Sequence, residues 1–229
     1  MLLSSSHSRL LHLVLFSHTI STQTRPPLSA RLFKSQLIFS HNTTQPPPNM
    51  SFTVYDAAIP SSNDALNSLL SILKKGQASP VADKLPSAKL YDDMLPLTFQ
   101  VHVVCDTVQK MVARATGAEP QKWENNLSSF DDMYARIAQA QEVLERADKA
   151  TINDKAFATV PLGMGPGKEI QIPSVGYIGA YVLPNIFFHL SMTYAIMRNL
   201  GVPLGKSDYL GAFMAQHLPK DITEKRSTK

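Results

Sequence analysis

The 229-residue chain carries a formal net charge of +4 and a single cysteine, Cys105. That charge belongs to residues 1–49, which hold Arg9, Arg25, Arg31 and Lys34 and no acidic residue; the other 18 Lys and Arg (22 less these four) balance 18 Asp and Glu. A neutral body excludes non-specific nucleic-acid binding, which needs a clustered positive surface, and one cysteine excludes an internal disulfide and suits a reducing compartment.

Residues 1–49 are rich in Ser, Arg, Leu and Pro, the composition of an organelle transit peptide. Their apolar run, Leu10 to Phe16, is too short to span a bilayer. The alternative is translation from Met50, which leaves the leader unmade. The expected location is cytoplasmic, or mitochondrial where the leader exists. The chain is expected to divide into a disordered leader (1–49), one bundle domain (50–215) and a flexible tail (216–229).

The first helix is expected to start near Pro60, since proline is tolerated in a first turn. A short extension through Ala57 and Ile59 precedes it. Ser62, Leu66, Leu69, Leu70 and Leu73 keep helical spacing, and Gly76 to Pro80 break it. The second helix is the clearest. Leu97, Val101, Val104, Val108, Met111 and Ala115 step by four and three, a seam that packs on a neighbouring helix, and Gly117 ends it. The third helix begins at Ser128 or Ser129, each with Asp three residues on. Its stripe is Phe130, Met133, Ile137, Ala140 and Leu144, with Glu142 and Arg146 spaced for an outer ion pair.

The pattern then changes. Lys155–Val160 and Lys168–Pro173 read as two strands around Leu162–Gly167, a hairpin with a glycine-rich loop. That loop lacks the spacing and the Lys-Ser/Thr of a phosphate-binding motif. The fourth helix, Leu183 to Gly201, is apolar on nearly every side and should be buried. A short tail follows from Val202.

His189 lies in the middle of that fourth helix. A buried imidazole needs a partner, because an unpaired polar group in a core costs a few kcal/mol. Gln100 lies about 60° from the centre of the second helix's seam and can meet His189, at 3.6 residues per turn. On the same wheel Asp106 lies about 180° and His102 about 140° away, which predicts a solvated outer pair. Thr193 is the residue four after His189. Arg198 needs a carbonyl, a carboxylate or an anionic ligand. Asp93, before the second helix, can serve the helix dipole. Tyr91, Tyr177, Tyr181 and Tyr194 suit either a pocket wall or the core. Cys105, near the seam, is expected to be an inert buried thiol.

The segments Asp93-Met-Leu-Pro-Leu-Thr-Phe-Gln-Val101 and Leu183-Pro-Asn-Ile-Phe-Phe-His-Leu-Ser-Met-Thr-Tyr-Ala-Ile-Met-Arg198, then Gly201-Val-Pro-Leu-Gly-Lys-Ser-Asp-Tyr-Leu-Gly211, resemble a fungal and bacterial family of unknown function. That family sits within the DinB/YfiT-like superfamily of four-helix bundles. The resemblance covers about Phe52 to Gly211. It implies an all-α four-helix bundle with a β-hairpin in the crossover between the third and fourth helices, and a homodimer. Members of the superfamily hold a divalent metal through three histidines, two of them four residues apart on the last helix; some are thiol-dependent transferases or isomerases. Here His189 matches the first of that pair, Thr193 stands in place of the second, and the inward face of the second helix has no histidine. The implied metal set is incomplete. Asp106 also matches a family position.

The expected function is a small-molecule pocket around His189 and Gln100, in a degenerate metal-dependent enzyme. His189 is its catalytic candidate and only candidate metal ligand; Gln100, Asp106, Thr193, Tyr194, Arg198 and Asp93 are its expected lining. The alternative is a non-catalytic binding or dimerisation module in which His189 is structural. Neither reading involves nucleic acid or a membrane span.

Overall fold

A computed structural model describes residues 51–218; the leader 1–49, Met50 and residues 219–229 of the tail lie outside the described residues. Helix α1 (Val54–Gln77) starts earlier than Pro60. Thr53 accepts from the Asp56 backbone amide while the Asp56 carboxylate takes the Thr53 amide, a reciprocal cap that satisfies orphan donors and starts the helix upstream of the proline. Pro60 is thus carried inside the helix, on its exposed side. Gly76 does not break the helix. It occupies the last turn, packed beneath the flexible end of Met197, which would have to move aside for a larger residue.

Helix α2 (Leu97–Thr116) keeps the expected seam, with all six residues buried, and Gly117 ends it in the left-handed region at φ 78°. Helix α3 (Phe130–Glu145) begins at an Ser129–Asp132 capping box and buries its whole predicted stripe. Glu142 and Arg146 pair at 3.1 Å in the open. A short helix, α4 (Lys149–Asp154), was not expected. Asp148 caps it through the Thr151 amide at 2.7 Å. The chain therefore turns through 155–158, and the first strand starts later than predicted. Strands β1 (Thr159–Gly163) and β2 (Glu169–Pro173) pair antiparallel, Thr159 opposite Pro173 and Gly163 opposite Glu169. Leu162 and Gly163 belong to the ladder rather than to the loop, because Val160 and Leu162 alternate inward as a half-buried strand does.

Helix α5 runs Ser174–Asn199. It opens with a turn at Ser174–Gly176, passes through a π turn at Tyr177–Val182, and continues as regular helix from Leu183 to Asn199. It is not buried on every side. Ile186, Leu190, Thr193, Ile196 and Met197 face the core, while Phe188 is 55% exposed. By length and a mean hydropathy of 1.2 it could cross a bilayer, a test that the core helix of a bundle also passes. Helix α6 (Lys206–Ala215) follows where only a tail was expected; Asp208 closes its first turn onto the Gly205 amide at 2.7 Å.

The four long helices form a ring in which α3 and α5 each pack on both α1 and α2. The core fills the middle of that ring, and α6 lies against α1. This arrangement is the expected all-α bundle with its crossover hairpin. It gives α5 two flanks. One faces α2 and carries Asn185 and His189; the other faces α6 and carries Phe187 and Tyr194.

Candidate functional site

Gln100 and His189 meet as expected. Gln100 is 3% exposed, and its Nε2 donates to the Leu95 carbonyl at 2.9 Å. That leaves Oε1 as an acceptor, 2.7 Å from His189 Nδ1. The ring must therefore donate from Nδ1, and the lone pair of the neutral imidazole stands on Nε2. Burial pushes the His189 pKa down, which favours that neutral form. Phe99 and Phe188 approach the ring edge-on at 6.2 and 5.1 Å. The imidazole is half-buried rather than enclosed, because it sits on the α2 flank of α5 and not on its inward stripe. Thr193 does not serve the ring; its hydroxyl donates to the His189 carbonyl at 3.0 Å.

His102 and Asp106 do not form a solvated outer pair. His102 is 8% exposed, and Arg136 on α3 donates Nη1 to its Nδ1 at 2.8 Å. The same guanidinium bonds the Glu124 carbonyl and Asn126 Oδ1 and lies over the Trp123 ring. Gln109 holds the backbone amide and carbonyl of Gln121, at 3.1 and 2.8 Å. The connection between α2 and α3 thus folds back over the face of α2 that a wheel assigns to water. A wheel describes one helix and cannot register a loop that returns onto it.

Asp106 belongs instead to a second place, a cleft of about 230 Å³ between α2, the hairpin and the π turn of α5. Asp106, Lys110 and Arg114, four residues apart, line its α2 side; Tyr177, Tyr181 and Asn185 line its α5 side, and Leu162 and Gly163 close its end. Asp106 pairs with Lys110 and also accepts from Gln109 Nε2 at 2.9 Å. Arg114 donates Nη1 to the Tyr177 hydroxyl at 2.7 Å, and its guanidinium lies 5.2 Å from the centre of that ring. Tyr177 is 1% exposed, and burial raises its pKa, so the phenol keeps its proton. Tyr181 stacks on it at 5.8 Å. Asn185 donates to Thr107 Oγ1 at 3.0 Å, one helical turn before His189. Two wider hollows border α6, around Ser207 and Gly211, but they open broadly to solvent and gather few functional groups.

The remaining expected residues lie elsewhere. Tyr194 turns to the α6 flank, donating to the Leu204 carbonyl at 3.3 Å and meeting Tyr209 edge-on. Arg198 is exposed and donates to the Val202 carbonyl at 2.8 Å, so it pins the end of α5. Asp93 is exposed in the turn before α2. Sequence reasoning passed over Lys110, Arg114, Thr107 and Asn185, and left Tyr177 and Tyr181 undecided. The available signal was the polar spacing Asp106, Lys110, Arg114 along one side of α2; the π turn that brings both tyrosines to it has no sequence signature.

The three-histidine centre implied by the resemblance does not fit this chain. Among the described residues no three His, Cys, Asp or Glu side chains stand close enough together to hold a metal ion. His189 has committed one ring nitrogen to Gln100, and Thr193 has committed its hydroxyl to the helix backbone.

A family described as a domain of unknown function (DUF1993) matches residues 54–210. Among solved structures, a DinB family member protein from Shewanella denitrificans is 28% identical, with a TM-score of 0.62, covering 69% of this chain and 91% of that one. None of the curated proteins matches the chain.

Proposed function

The chain belongs to the DUF1993 family, a family of DinB-like helical bundles, and on that premise we propose that it binds a small organic molecule in the cleft between α2, the hairpin and the π turn. The observation that carries this reading is the gathering of polar side chains from two helices around a partly enclosed space of about 230 Å³. Such convergence of a few polar groups on a concave site is the usual mark of a ligand pocket. A π turn at the same place supports it, since these distortions are frequent at functional sites. His189 lies one turn along α5 from Asn185, on the same flank. A neutral imidazole held by Gln100 is suited to accept a proton on Nε2. The reading requires no metal, because the ligand set for one is not assembled among the described residues.

The test is a fragment titration of the full chain followed by two-dimensional amide NMR. Shifts are expected to cluster at Lys110, Arg114, Tyr181 and Asn185. Asn185→Trp, which fills the cleft, should abolish them while leaving the spectrum folded. Shifts confined to the hollows beside α6 would sink the reading.

A second reading, self-association, is favoured by the outer stripe of α5. Tyr181 and Phe188 are 39% and 55% exposed, seven residues apart, with exposed Pro184 between them.

A further inference from the structure

We propose that the cleft recognises the carboxylate of a small, flat organic acid, with Arg114 and Tyr177 as the recognising pair; this rests on the cleft being a ligand site. Arg114 is the starting point. Its guanidinium is half-buried, yet among the described residues no carboxylate pairs with it. Its protein partners are a phenol oxygen and a ring face. Nε is buried without a hydrogen-bond partner. Among the described residues Nη2 has no hydrogen-bond partner but remains accessible, since Nε is the guanidinium nitrogen that is both buried and unpartnered. Partly burying a guanidinium with no anion costs free energy that an incoming anion recovers.

The other groups narrow the ligand. Lys110 is neutralised by Asp106, so two cations and one carboxylate leave a single surplus positive charge. That balance suits a monoanion. The Tyr177 oxygen accepts from Arg114, so its own proton is available to donate. Arg114 and Tyr177 thus present adjacent donors, the pattern a planar carboxylate accepts with both oxygens. Tyr181 extends the stacked pair and stays 39% exposed, offering a flat apolar surface beside those donors. A space of about 230 Å³ admits only a small ligand. Benzoate has the right size, charge and flatness to serve as a probe. Benzamide is its neutral counterpart.

The experiment is a titration of the full chain with benzoate, benzamide and inorganic phosphate, followed at the cleft amides and at the Arg114 Nε–H resonance. Benzoate should move these signals and bind about tenfold more tightly than benzamide, the discrimination expected of a charge-assisted pair. Arg114→Gln should erase the preference. Lys110→Gln, at a side chain 39% exposed, leaves the core intact and should weaken benzoate by about threefold through lost field alone. Equal binding of benzoate and benzamide in the cleft, or tighter binding of phosphate than benzoate, would overturn the carboxylate assignment and leave the small-molecule cleft standing. No response at the cleft from any probe or fragment would overturn both.

Discussion

Two histidines resist protonation for the same reason. Burial lowers the pKa of His189, and burial is also the largest cause at His102, where Arg136 and Lys110 act in the same direction against Asp106 and Glu124. In the unfolded chain both rings take a proton near pH 6.5, the ordinary histidine value. The folded chain takes them later as pH falls, so below that value the unfolded state binds more protons and gains on the folded one. Stability should therefore fall as pH drops through about 6.5, with His102→Gln and His189→Gln each flattening the slope. Urea midpoints measured on either side of that pH check it; a flat wild-type profile would remove the argument. Two strongly held carboxylates lie outside this window. Asp56 and Asp132 are held down at about 2, Asp56 by Lys149 and Thr53 and Asp132 by Ser128 and Ser129, so what they contribute is present above their unfolded value and lost only in stronger acid.

Elements were legible where one face meets one neighbour. The stripe of α3 matched its buried residues one for one, and the seam of α2 was buried throughout, because a packed helix shows its period in the chain itself. Helix α2 also buries residues off that seam, Gln100, His102 and Gln109 among them. The departures arose where a local signal had a rival. Pro60 is a start signal, but the cap at Thr53 and Asp56 is stronger and lies upstream. A proline inside a helix forgoes one backbone bond. Because Pro60 is exposed, Pro60→Ala should stabilise the protein, by about 1–2 kcal/mol once the looser unfolded chain is allowed for. Thermal or chemical unfolding measures this, and a loss of stability would show that the ring makes contacts its exposure does not suggest. The His189–Gln100 pair was legible because both residues sit on long regular helices. The Arg114 cleft was not, because it needs a π turn and a hairpin end that arrive from distant sequence.

At the scale of the molecule, α5 is the ambiguous element. Its composition predicted burial on all sides, yet the ring of four helices covers only part of it. Hydropathy averages around the helix and cannot say which side is left uncovered. The apolar outer stripe suits a second copy of the chain, although a stable dimer needs about 800 Å² from each partner. If that stripe is the contact, the full chain should run as a dimer by light scattering and Phe188→Asp as a folded monomer. A wild-type monomer at high concentration would retire self-association. The hydrogen bonds from Asn185 and His189 to α2 tie the inner flank to the bundle whichever outcome is found.

The π turn at Tyr177–Val182 also sets the clocking of the hairpin. A π turn is a helix that has admitted one extra residue, and each residue advances an α-helix by about 100°. Everything upstream of it is therefore out of phase with the rest of α5. Taking one residue out of this turn would leave the hydrophobic stripe below untouched. It would swing β1 and β2 around the helix axis, carrying Leu162 and Gly163 away from the mouth they now close.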